Sequence, residues 1–76
     1  MKKRAKSSIR ERFGFAVKSR REELGLTQEE FAERAGIHRT YISDVERGGR
    51  NIGLLNIERV ADALDLSIAE LFQRAK

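Results

Sequence analysis

A run of hydrogen-bonding side chains between positions 39 and 47 carries the most specific chemistry in this sequence. Apolar residues at positions 37, 42 and 45 have the spacing of one inward-facing helix stripe, so the residues between them point elsewhere. Guanidinium and hydroxyl groups on an exposed helix face are suited to the base edges and phosphates of the DNA major groove. The polar residues of this face are Arg39, Thr40, Tyr41, Ser43, Asp44 and Arg47.

Two short helices joined by a tight turn would position that face. Thr27 followed by Glu30 forms a capping box, which marks the start of a helix. Gly36 supplies the left-handed residue that ends it at low cost. The sequence therefore predicts helices at about Gln28–Ala35 and Arg39–Arg47, a helix-turn-helix. Glutamates on the first of these helices disfavour its approach to a polyanion, so the second helix is expected to enter the groove.

Further helices complete the predicted fold. One spans about Ile9–Leu24 behind a capping box at Ser8, another spans about Leu54–Leu64, and the last opens with a capping box at Ser67. Without proline, and with glycines at helix ends, the chain is predicted to be all-α, with five helices around one core. The residues expected to face the core from the first and fourth helices are Ile9, Phe13, Val17, Leu24, Leu54, Ile57, Val60, Ala61 and Leu64.

The net charge of +4 conceals an asymmetry. Residues 1–21 carry nine basic side chains and one acidic side chain, whereas residues 22–76 carry seven basic and eleven acidic ones. The first part therefore has a net charge of +8 and the second a net charge of −4. We expect residues 1–8 to be a flexible basic arm preceding one domain over residues 9–76, an arrangement that favours a directional approach to a polyanion. A merely solubilising basic tail is the alternative.

Several classes of function lack their residues here. The chain has no cysteine and a single histidine, His38, so neither a zinc site nor a cysteine nucleophile is expected. No apolar run approaches a membrane span, and the start lacks the apolar core of a signal peptide. We therefore expect a cytoplasmic protein without metal, cofactor, small-molecule ligand, membrane contact or enzymatic activity.

The C-terminal segment is rich in apolar residues for one end of a small domain. A chain of this length buries a core with a small stability margin, which pairing with a second copy would increase. We expect some of these side chains to belong to the core and others to form a symmetric dimer contact in a C-terminal dimerisation helix. The candidates are Leu66, Ile68, Leu71 and Phe72.

The segment TQEEFAERAGIHRTYISDVERG resembles the helix-turn-helix of the Cro/C1-type (XRE) regulators. The preceding VKSRREELGLTQEE is similar to the opening of lambdoid phage repressors. The following HRTYISDVERGGRNIGLLNIERVADALDL is closer still to the controller proteins of restriction–modification systems. The resemblance extends over about residues 9–73. It implies a compact five-helix, lambda-repressor-like DNA-binding domain with the helix-turn-helix formed by helices 2 and 3.

The resemblance also implies roles for individual residues. Arg39 would read a guanine, because its fork matches O6 and N7, and Thr40 would meet base edges. Glu46 would pair with Arg21 and fix the reading helix on the scaffold. Gln28 would contact phosphate and brace that helix. The other implied contacts, to phosphate, sugar or bases, come from Tyr41, Ser43, Arg47, Arg50 and Asn51.

The function expected from these features is sequence-specific regulation of transcription on double-stranded DNA. A homodimer would place two reading helices on a near-palindromic operator with half-sites about 34–36 Å apart. A controller of restriction–modification genes is the favoured branch, and a phage-type repressor or an antitoxin autorepressor is the alternative. RNA polymerase or a cognate toxin would be a further partner. A rival of another class is a helical protein-interaction module without DNA binding.

Overall fold

Five helices make up the part of the chain that the structure, a computed structural model, describes, which is residues 8–76. Their bounds are α1 Ile9–Glu23, α2 Gln28–Ala35, α3 Arg39–Glu46, α4 Leu54–Ala63 and α5 Ile68–Arg74. The all-α prediction is confirmed, and the predicted helices end within one residue of those observed. The predicted basic arm lies outside the described residues apart from Ser8, which caps α1 and therefore belongs to the domain.

Local capping chemistry explains where the helices begin and end. The side chains of Ser8, Thr27 and Ser67 each accept a hydrogen bond from the backbone N–H three residues later. The glutamate at that later position accepts a hydrogen bond from the backbone N–H of the capping residue. These are the predicted capping boxes, and each satisfies backbone groups that a helix start leaves without partners. Gly36 ends α2 with φ +69°, so the chain turns sharply into α3.

The core lies where these helices cross. Its fully buried side chains include Phe31 from α2, Ile42 from α3 and Leu71 from α5. Leu64, which directly follows α4, is also fully buried. Two residues predicted to face the core do not: Ile9 is 52% exposed and Leu54 is 80% exposed. Each is the first residue of its helix, where the side chain leans toward the N-terminus and past the packed layer.

The contact between α1 and α3 depends on a glycine that the sequence reasoning overlooked. Gly14 is buried in the middle of α1. A Cβ atom at Gly14 would lie 2.3 Å from the carbonyl oxygen of Val45 and 2.8 Å from that of Glu46. The backbone of α1 therefore touches the C-terminal end of the reading helix directly, and only glycine leaves room for this approach.

A buried ion pair joins the same two helices. The Arg21 Nε donates to Glu46 Oε2 at 2.7 Å, and Arg21 Nη2 donates to Glu46 Oε1 at 3.0 Å. Arg21 Nη1 donates to the carbonyl of Leu26 at 2.7 Å, and Gln28 Nε2 donates to Glu46 Oε1 at 2.9 Å. The hydrogen bonds that Arg21 donates to Glu46 raise the pKa of Arg21 above its usual value, against the opposing effect of burial. The pair expected between Arg21 and Glu46 is thus present, and Gln28 braces it.

Three other arginines donate hydrogen bonds to backbone carbonyl groups at the C-terminal ends of α4 and α5. Carbonyl groups at a helix C-terminus lack intrahelical partners and carry a partial negative charge, which a guanidinium satisfies. Two basic side chains of α1 and one of α2 make these contacts. The pairs are Arg12 with Ala75, Arg20 with Leu64 and, from α2, Arg34 with Ala63, at 3.1, 3.0 and 3.3 Å.

Replacement of Gly14 by alanine is expected to destabilise the fold. Replacing an exposed glycine inside a helix by alanine usually stabilises a protein. At Gly14, however, the new methyl group would clash with backbone oxygens of α3. We expect the free energy of unfolding to fall by about 1–3 kcal/mol, the usual cost of overpacking, in urea denaturation. Lys18→Ala, at an exposed site on the same helix, is the control and should be close to neutral. An unchanged or higher stability for Gly14→Ala would contradict the close contact.

Loss of one partner of the buried ion pair is expected to cost much more than loss of a surface pair. Arg21→Met leaves the Glu46 carboxylate buried without its cation, for which the cost is about 3–5 kcal/mol in denaturant unfolding. Arg74→Met is the control, because it breaks an exposed pair with Glu23 that solvent screens. Arg21→Met combined with Glu46→Leu should be more stable than Arg21→Met alone. Equal effects of Arg21→Met and Arg74→Met would refute the structural role of the pair.

Candidate nucleic-acid interface

The outer face of α3 is solvent-accessible along its length. Ile42 and Val45 hold the helix to the core from its inner side, at 0% and 2% exposure. His38 begins the helix, and its Nδ1 accepts a hydrogen bond from the backbone N–H of Thr40 at 3.1 Å. Of the residues predicted to contact DNA from α3 and the loop after it, Tyr41 and Ser43 are half-buried, and the exposed ones are Arg39, Thr40, Arg47, Arg50 and Asn51.

A shallow cleft separates the N-terminal ends of α2 and α3. Its walls include Thr27, Gln28 and Glu29 from one side and Arg39 from the other, with Arg21 also lining it. The structure brings Gln28 and Arg39 together at this cleft, and Glu29 in the first turn of α2 adds an acidic side chain to its wall. Gln28 is half-buried because its side-chain amide bonds to Glu46, so its predicted phosphate contact and its bracing role meet in one residue.

A network of side chains covers the C-terminal half of the reading face. The Arg47 Nη1 donates to the Ser43 hydroxyl at 2.7 Å, and Arg47 Nη2 pairs with Asp44 Oδ1. The other Asp44 oxygen accepts from Arg50 Nε at 3.3 Å. The Arg50 guanidinium also lies over the ring of Tyr41, 4.7 Å from its centroid. Asp44 therefore joins Arg47 and Arg50, two of the residues predicted to contact DNA.

Asp44 was not among the predicted site residues. The signal for one of its contacts was available, since an acidic residue three positions before an arginine on a helix places both side chains on one face. Its contact with Arg50 could not be inferred in this way, because that contact requires the path of the loop after α3. The structure therefore shows that Asp44, a polar residue of the predicted face, contacts two of the cations on that side of the molecule.

The loop that carries Arg50 is held against α1. Gly48 has φ +79°, a backbone conformation that other residues rarely adopt. A Cβ atom there would lie 2.9 Å from the Cα atom of Glu11, so the turn after α3 packs directly on the first helix. This packing returns the chain toward the reading face and places Arg50 beside Tyr41.

The apolar residues predicted to form a dimer contact divide into two groups. Leu71 is wholly buried in the single chain, so its assignment to an interface is wrong: it packs in the core, where no second copy can reach it. Leu66 is partly buried and packs on that core. Ile68 and Phe72 remain 39% and 37% exposed, and the Phe72 ring lies 5.2 Å from that of Phe13.

Further exposed apolar surface lies at the start of α4. Leu54 and Leu55 line a shallow groove with Ile68 and Glu58. Leu55, which no prediction included, is 59% exposed. We call the side chains of Leu54, Leu55 and Ile68 the α4–α5 patch. A cluster of large exposed aliphatic residues of this kind is typical of an association surface.

Within residues 8–76, no helix is long and apolar enough to cross a membrane. In the same part of the chain, no cluster of three or more His, Asp or Glu side chains could hold a metal ion.

Comparison with known proteins agrees with this geometry. A family model described as helix-turn-helix matches residues 17–71. The control protein C.MunI from a Mycoplasma species is 40% identical over 67 residues, which cover 87% of this chain and 90% of that protein.

Solved structures show the same fold in related proteins. The restriction–modification controller protein C.AhdI from Aeromonas hydrophila superposes with a TM-score of 0.81 at 43% identity, covering 83% of this chain and 96% of that one. The controller protein C.Esp1396I, solved as a tetramer in complex with its natural 35 base-pair operator, gives a TM-score of 0.84 at 33% identity over 92% of both chains. This protein therefore belongs to the helix-turn-helix family of Cro/C1-type (XRE) regulators.

Proposed function

We propose that this protein is a sequence-specific regulator of transcription that binds double-stranded DNA as a homodimer. The observation that carries the proposal is the exposed polar face of α3, held at a set angle on the scaffold by the Arg21–Glu46 pair and by Gln28. DNA readers of this class place such a helix in the major groove while the preceding helix crosses the phosphate backbone.

Each end of the reading face has its own task in this proposal. Arg39, exposed at the N-terminal end of α3, extends furthest toward the bases and pairs with the O6 and N7 of a guanine, and Thr40 contacts a neighbouring base edge. At the other end, Arg47, Arg50 and Asn51 contact phosphates, which set the register of the helix on the duplex. Further contacts to phosphate, sugar or bases come from Gln28, Tyr41 and Ser43.

Two copies would bind a near-palindromic operator, with one reading helix in each half-site. The similarity to C.AhdI and C.Esp1396I favours control of restriction–modification genes, because both relatives are restriction–modification controller proteins. Since the half-sites are about one helical turn apart, the dimer must span about 34–36 Å between reading helices. Occupancy then depends on protein concentration through the dimer equilibrium. As a regulator that binds DNA, the protein would act in the cytoplasm.

The α4–α5 patch supplies the dimer contact in this proposal. The side chains of Leu54, Leu55 and Ile68 are large, apolar and exposed in the single chain. Burying them against a second copy removes apolar surface from water, which favours association. Phe72, in the same helix as Ile68, extends the contact.

Selection of bound DNA from a random pool tests the reading face. The wild type should enrich a two-fold symmetric site at moderate salt. Arg39→Ala should lose preference mainly at one guanine in each half-site, with binding weakened by about 1–3 kcal/mol, the value of a bidentate base contact. Lys18→Ala, which removes the same charge from an exposed site on α1, is the control and should retain the wild-type preference. If the wild type enriches no sequence, the proposed function fails.

Sedimentation equilibrium over a range of protein concentrations tests the α4–α5 patch. Leu54→Ser combined with Ile68→Ser should raise the dimer dissociation constant at least about tenfold, because two apolar side chains lose their burial. Phe15→Ser is the matched control, since Phe15 is a large exposed apolar residue on α1 outside the patch. An equal shift for the control, or none for the double variant, would place the dimer contact elsewhere.

A further inference from the structure

The C-terminal half of the reading face contains two cations and one anion in direct contact. The Asp44 carboxylate uses one oxygen for Arg47 and the other for Arg50. Both arginines point outward, with 66% and 46% of their side chains exposed, whereas the Asp44 side chain is only 24% exposed. The carboxylate is therefore less accessible to solvent than the two guanidinium groups that it contacts.

The position of Asp44 is unfavourable for the helix itself. It lies in the last turn of α3, Arg39–Glu46, where the helix dipole opposes a negative charge. Exposed ion pairs contribute little to the free energy of folding, because solvent screens the charges and long side chains lose conformational entropy when they pair. Fold stability therefore gives little reason for an acidic residue at this site, and its contacts point to an effect on binding instead.

A phosphate that binds Arg47 or Arg50 comes close to the Asp44 carboxylate, which already contacts both arginines. It competes with Asp44 for N–H donors that the carboxylate already holds, and it places a second negative charge near the first. This cost is independent of base sequence, because every duplex presents the same phosphates. Base contacts from Arg39, which lies at the other end of α3, are unaffected by it.

We propose that Asp44 is a specificity-determining residue that weakens binding to DNA of any sequence by competing with phosphates for Arg47 and Arg50. Only a duplex that also satisfies the base-reading residues then binds firmly. This inference rests on the proposed function, and it assigns to the reading face an anion whose role is to oppose nonspecific contact.

Binding to a random-sequence duplex over a range of salt concentrations tests this role. Asp44→Asn keeps the shape of the side chain and removes its charge, so the affinity should rise about threefold to tenfold. The slope of log affinity against log salt should steepen by about 0.9, the contribution of one additional neutralised phosphate. Asp62→Asn removes one charge from an exposed site on α4 and is the matched control, with a smaller gain and an unchanged slope.

The selected operator provides the second measurement. Asp44→Asn should gain less affinity for the operator than for the random duplex, so the ratio of the two affinities falls. The inference is overturned if Asp44→Asn and Asp62→Asn behave alike, since net charge alone would then explain the effect, or if Asp44→Asn weakens random binding. Thermal unfolding of each variant checks that it is folded. Failure of the wild type to bind either duplex would instead overturn the proposed function.

Discussion

The buried carboxylate of Glu46 is the group on which the arrangement of the first three helices depends. It receives donors from Arg21 in α1 and from Gln28 in α2, while its own backbone belongs to α3. Apolar packing is non-directional and tolerates small rotations of a helix, whereas a two-point hydrogen bond between a guanidinium and a carboxylate has a defined direction. Together with the close approach at Gly14, this pair determines the angle at which the reading face is presented.

Two groups of arginines within residues 8–76 make different kinds of contact, which the net charge does not reveal. Arg12, Arg20 and Arg34 hold the C-terminal ends of α4 and α5, where unpaired carbonyl groups attract a cation. Arg39, Arg47 and Arg50, by contrast, are exposed, and the Asp44 carboxylate contacts the last two. Arg39, Arg47 and Arg50 therefore add exposed cations on one helix and its following loop to the basic side chains of residues 1–21.

The same small size that limits the core leaves apolar residues at its edge. The α4–α5 patch lies where α4 begins, before that helix has entered the packed layer. In a chain of 76 residues the buried core contributes a narrow stability margin, which the proposed association with a second copy would increase. One surface would therefore serve both stability and the two-fold symmetry that a near-palindromic operator requires.

The sequence by itself determined the helices, their boundaries and the family. Capping boxes such as the one at Thr27, and the left-handed glycine at Gly36, act through backbone groups a few residues away, so local sequence is enough to predict them. The predicted partner of Arg21 came from family resemblance, because no local rule joins residues in different helices.

Only the tertiary structure decided which side chains meet across helices. Leu71 and Ile68 look equivalent in sequence, yet the first lies in the core and the second on the surface. The need for a glycine at position 14 arises from the backbone of another helix, and the contact of Asp44 with Arg50 arises from the path of a loop. Such contacts depend on how whole helices cross, and the periodicity of one helix shows which residues share a face but not what that face will touch.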